Sequence, residues 1–97
     1  MGRVDPPAPW FQLEPERAQA LEAQARREIG PGHPLFALDL TVLAKCGGCD
    51  DIAVELANGW ACVHLTWSRG RETPPWPRAV SASTSEVFLT LLASHDH

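Results

Sequence analysis

Tyrosine is absent, lysine occurs once, and no apolar run approaches the roughly 20 residues that a membrane helix needs. A membrane-spanning helix is thereby excluded. The first ten residues contain no apolar segment of the secretory type, so the chain reads as cytoplasmic. Three cysteines are an odd count, and without an export signal they read as reduced thiols or metal ligands rather than a disulfide framework. Basic charge is also scarce. Seven Arg and one Lys stand against twelve acids, giving a formal charge of −4 and a pI near 5.4. Arg26-Arg27 is the only adjacent basic pair, and Glu22 and Glu28 flank it. Neither nucleic acid nor an anionic membrane surface is an expected partner, because phosphate neutralisation supplies most non-specific affinity. No internal repeat is visible.

What is present suits a single folded unit. Hydrophobic residues make up 44% of the 97 and charged residues 21%, values typical of a globular domain of this length. Residues 1–13 are proline-rich and read as an extended N-terminal arm, with residues 14–97 as one α+β domain. Pro15 suits the first position of a helix, Glu16 sits where the dipole favours an acid, and Gly30-Pro31 supplies a stop. Ala18, Leu21, Ala25 and Ile29 fall on one stripe of that helix, while Glu22 and Arg26 make an i,i+4 pair.

From Leu38 the pattern changes to period two. Leu38, Leu40, Val42 and Ala44 alternate with Asp39, Thr41, Leu43 and Lys45, and residues 51–57 and 60–67 alternate in the same way. Asn58-Gly59 between the latter two predicts a tight hairpin with a type I′ turn. That turn would set Glu55 opposite Cys62, Ala53 opposite His64 and Asp51 opposite Thr66. One face of the hairpin is then aliphatic, with Trp67 closing the core, and the other carries Asp51, Glu55, Trp60, Cys62 and His64. Residues 78–82 read as a short fourth strand, and Ser83-Thr84-Ser85-Glu86 as a capping box opening a helix that carries Val87, Phe88, Leu91 and Leu92. The expected fold is α+β: an antiparallel three- to four-stranded β-meander flanked by an N-terminal and a C-terminal helix on one face.

Cys46-Gly47-Gly48-Cys49 is the sharpest chemical motif. Two thiolates at this spacing make half of a tetrahedral zinc site, although no second Cys-x-x-Cys completes it. In the expected register His64 reaches the knuckle, whereas Cys62 lies roughly 13 Å along the strand from Asp51. The candidate metal set is therefore Cys46, Cys49 and His64, with zinc as the ion, and the plainer reading is a glycine loop holding two reduced thiols. Thiol redox chemistry is disfavoured by Asp50-Asp51, which oppose a thiolate. Cys62, His64 and Glu55 on one sheet face invite a nucleophile, base and orienter reading, but side chains two apart on a strand run parallel rather than toward each other.

Four tryptophans remain. Trp60 and Trp76 have the amphipathic surface that binding sites favour, which makes Trp60, Trp76, Glu55 and His64 the candidate partner-contact residues. The combination of Cys46-x-x-Cys49-Asp50-Asp51, Trp60-x-x-Val63-His64-Leu65-Thr66-Trp67-Ser68 and Pro74-Pro75-Trp76-Pro77 resembles a pattern in small uncharacterised bacterial proteins. That resemblance covers residues 46–77 and implies no activity. The expected function is a small cytoplasmic binding or regulatory protein without a cofactor. It would meet a protein partner, or a second copy of itself, through the 51–67 hairpin and the 73–77 loop. The alternative is a small zinc- or thiol-dependent enzyme using Cys46, Cys49 and His64.

Overall fold

The structure is a computed structural model that describes residues 10–67 and 77–93. Among these, β1 (Trp10–Gln12), β2 (Leu40–Cys46), β3 (Asp51–Leu56), β4 (Gly59–His64) and β5 (Ala79–Ala82) form one antiparallel sheet in sequence order. Helix α1 (Pro15–Glu28) follows β1, and α2 (Ser85–Ala93) follows β5. The meander is thus five strands rather than three or four. The extra strand comes from Trp10–Gln12, which pairs with residues 44–46 of β2. Trp76 and the rest of the 68–76 segment lie outside the described residues.

The helices pack on opposite faces of the sheet, which corrects the one-faced arrangement expected from the sequence. One core joins Leu21, Ala25 and Ile29 of α1 to Leu40, Val42, Ile52, Val54, Ala61 and Val63. The other joins Phe88 and Leu92 of α2 to Trp10, Ala44, Cys46, Ala53, Cys62 and Ala82. Two features make the second face apolar enough to need a helix. The β2–β3 register slips between Val42 and Ala44, so the alternation changes sides and Ala44 and Cys46 turn away from α1. The residues on that face are also small, leaving a shallow floor on which the fully buried Phe88 ring sits. Trp60 stacks on Phe88 with ring centroids 5.8 Å apart. At the chain's extremes, the Trp10 indole N–H donates to the Leu92 carbonyl at 3.1 Å.

The hairpin turns one residue earlier than Asn58-Gly59 predicts, which shifts every cross-strand partner by two. Leu56 pairs with Gly59, Asp51 with His64 and Ala53 with Cys62, so Ala57 and Asn58 form the turn. Gly59 serves a different need. A Cβ there would lie 2.5 Å from the Ala82 carbonyl oxygen of β5, and only glycine admits that approach. A slip of two residues preserves which side chains share a face but changes which are neighbours.

Three charged residues of α1 do structural work that their helical spacing does not reveal. Glu22 accepts from the Val42 N–H at 3.0 Å, and Arg26 donates to the Leu40 carbonyl at 3.3 Å. Both cap the stretch of β2 that three-residue β1 does not reach, protecting an otherwise open edge. Glu28 is completely buried. Its carboxylate accepts from the Thr66 N–H, the Thr66 hydroxyl, the Trp67 N–H and the Gln24 amide, all at 2.8–2.9 Å. These bonds hold the chain leaving β4 against the end of α1 and support Trp67 at a φ of 61°. Trp67 consequently points outward, 49% exposed, instead of closing the core, and Leu65 is the last buried residue of that alternation. At α2 the cap is Thr84, whose hydroxyl accepts from the Val87 N–H at 3.2 Å, one residue later than the predicted box.

Glu28→Ala removes the shared acceptor of four hydrogen bonds and leaves a cavity at a fully buried position, and we expect a loss of about 3 kcal/mol in urea unfolding. Gly59→Ala forces β4 and β5 apart, and the same measurement should show a loss of about 2 kcal/mol.

Candidate functional site

The chemically reactive side chains gather at the end of the sheet where β2 turns into β3. Asp51 opens β3 directly opposite His64, the last residue of β4. Its carboxylate is nearly buried, and Oδ1 accepts from His64 Nδ1–H. The His64 side chain is 46% exposed, so the pair presents an imidazole oriented by a carboxylate, with Nε2 as the ring nitrogen left for solvent. Cys62 donates from Sγ to the other oxygen, Asp51 Oδ2, at 3.6 Å. The two-residue slip is what brings Cys62 within reach of Asp51, correcting the separation of roughly 13 Å inferred from the Asn58-Gly59 turn.

Cys62 and His64 therefore both address Asp51 and not each other. Burial, reinforced by the Asp51 charge, pushes the Cys62 thiol far above its ordinary value. A buried, protonated thiol that donates to a carboxylate is not an activated nucleophile. Glu55, at the opposite end of β3, stands across from Trp60 and takes no part in this cluster.

Cys46 and Cys49 flank the turn formed by Gly47 and Gly48. Cys46 is fully buried, and its sulfur accepts from the Gly48 N–H at 3.4 Å. Lys45 bridges the turn: its ammonium donates to the Cys46 carbonyl at 3.1 Å and to the Cys49 carbonyl at 2.8 Å. Burial pushes the Cys49 thiol up to about 11, against the pull of the Asp51 N–H, with the nearby Cys46 thiol and the Asp51 charge adding to the rise. Of the predicted zinc ligands, Cys46 and Cys49 are neighbours, whereas His64 is turned to Asp51. Among the described residues no three His, Cys, Asp or Glu side chains are arranged to hold a metal ion.

The partner-contact residues are distributed differently from expectation. The hairpin face that was to be open is largely roofed by α2, and Trp60 is half-buried against Phe88. Trp60 still lines a groove of about 390 Å³ at the turn end of the sheet, with Leu38, Asp39, Leu56 and Ala82. A second cleft, about 240 Å³, lies beside it between Ile29, Leu35, Phe36 and Arg26. Leu38 and Asp39 belong to both walls.

The segment between the clefts is held in an unusual shape. Phe36 N–H donates to the His33 carbonyl and Leu38 N–H to the Leu35 carbonyl, with Ala37 at a φ of 65°. Buried His33 anchors it, accepting from the Leu35 N–H at Nδ1 and donating from Nε2 to the Pro77 carbonyl. Phe36 is left 40% exposed and Leu38 46%. Sequence alternation placed Leu38 in the first strand; its true position was hidden because the strained turn at Ala37 carries no glycine or asparagine to mark it.

At about pH 8 the raised Cys49 thiol holds roughly a hundredth of the thiolate of a thiol at its ordinary value. Iodoacetamide should label Cys49 correspondingly slowly, with the rate rising about tenfold per pH unit toward pH 11, as followed by peptide mass spectrometry. Compared with models of protein families, with curated proteins and with solved structures, the chain matches none.

Proposed function

We propose that the chain is a small binding module that receives an apolar segment of a protein partner in the grooves on either side of Leu38. The observation that carries this reading is the 33–39 segment. A non-glycine residue at positive φ costs about 1 kcal/mol or more, and such strain concentrates where a surface is presented for function. Here the strain raises Phe36 and Leu38 between two concavities whose walls include Trp60. Apolar anchors beside an aromatic wall, rimmed by Asp39, Asn58 and Ser81, have the composition of an interface centre with a polar rim. Trp60 thus keeps the contact role the sequence suggests, as part of a groove wall. His64 and Glu55 have no place in these walls.

No helix among the described residues is long and apolar enough to cross a membrane, so the exposed leucine and phenylalanine are not explained by a spanning segment. Selection of displayed peptides on the intact protein tests the reading. Enriched sequences should carry a large apolar anchor, and Leu38→Asp should weaken them at least tenfold while Val87→Asp, on the exposed side of α2, leaves them unchanged. Failure to enrich, or binding indifferent to Leu38, overturns it. A sedimentation coefficient that rises with concentration and reverts in Leu38→Asp would identify the occupant as a second copy instead.

A further inference from the structure

The Cys46–Cys49 turn is unused by the groove, which sits at the other end of β3, and it has a geometry of its own. Gly47 and Gly48 are the central residues of the turn, so the Cα atoms of Cys46 and Cys49 are within about 7 Å, the range a disulfide spans. Cys46 is close enough to Cys49 to help raise its thiol, and the Gly48 N–H between them donates to Cys46 Sγ at 3.4 Å. The Lys45 ammonium, bound to both cysteine carbonyls, fixes the ends of the turn in that approach. Cys62, the third thiol, is committed to Asp51. The burial of the pair is also asymmetric, with Cys46 enclosed and Cys49 partly open.

We infer that Cys46 and Cys49 form a reversible dithiol–disulfide modification site, in which partly exposed Cys49 meets a low-molecular-weight disulfide and enclosed Cys46 resolves it across the Lys45-clamped turn. In the first exchange Cys49 loses its proton and its sulfur attacks one sulfur of the small disulfide. That S–S bond breaks, a mixed disulfide forms on Cys49, and one small thiol leaves with the proton. In the second, Cys46 loses its proton and attacks Cys49 Sγ; the mixed S–S bond breaks, the Cys46–Cys49 bond forms and the second small thiol leaves. Two protein thiols are oxidised and one small disulfide is reduced to two thiols. A thiolate-stabilising site makes a disulfide easy to reduce, as in strongly oxidising dithiols. Here burial of the pair and the Asp51 charge outweigh the Asp51 N–H that favours the Cys49 thiolate. The disulfide therefore forms slowly and, once formed, persists.

The experiment equilibrates the native protein with mixtures of reduced and oxidised glutathione and reads the intact mass after acid quenching. The oxidised form should be lighter by two hydrogens, with no retained glutathione, and dithiothreitol should reverse the loss. Cys62→Ser should undergo the same loss, whereas Cys46→Ser should retain one glutathione on Cys49. Three unmodified thiols across the whole range of mixtures, a lasting adduct on the native protein, or absence of the mass loss in Cys62→Ser would each overturn the assignment.

Discussion

The slip in β2 at Leu43 is the constraint on which the two-sided architecture rests. Before it, Leu40 and Val42 face α1; after it, Ala44 and Cys46 face α2. One strand thus feeds two cores. A regular strand of the same sequence would keep Ala44 on the α1 side and deny the opposite face two of its apolar positions. The floor under Phe88 would then be incomplete, and α2 would have little to pack against. The same slip sets Cys46 on the face that holds Asp51, so the chemistry at that end of the sheet is also a product of one extra residue.

Much of this was legible in the residues, and the omissions have identifiable causes. The α1 stripe, the three main strands, the fourth at residues 79–82 and the last helix follow from periodicity, Pro15 and a capping hydroxyl, because these are local signals. The arrangement of the helices was not local. Ala53, Cys62 and Ala82 are too small to register as a hydrophobic face, yet small residues are what let a phenylalanine approach a sheet closely. The hairpin turn was misplaced because Asn-Gly is a strong turn signal, while Gly59 is required by Ala82 on the next strand. Glu28 stood out in the sequence only as an acid flanking Arg26-Arg27, since nothing in a sequence distinguishes a solvated carboxylate from one that gathers four hydrogen-bond donors.

The candidate site divides along the same line. Clustering of Cys46, Cys49 and His64 at one end of the sheet could be anticipated from strand direction alone. The role of Asp51 could not, because it depends on a register that shifts by two. That shift converts a loose collection of donors into an ordered one, in which a single carboxylate takes hydrogen bonds from an imidazole and a thiol. The groove at the other end was invisible for a related reason: its walls come from the 33–39 segment, the hairpin turn and the β5–α2 junction, which meet only in three dimensions.

The bond from the Trp10 indole to the Leu92 carbonyl spans 82 positions of sequence. Strand β1 has only three residues and one neighbour, too little pairing to persist alone. Its ring lies in the same cluster as Phe88 and Leu92. Undocking α2 therefore removes support from β1 as well, which ties the stability of the first described strand to that of the last helix. Amide exchange in residues 10–12 reports on the last helix, although no strand lies between them to carry the message.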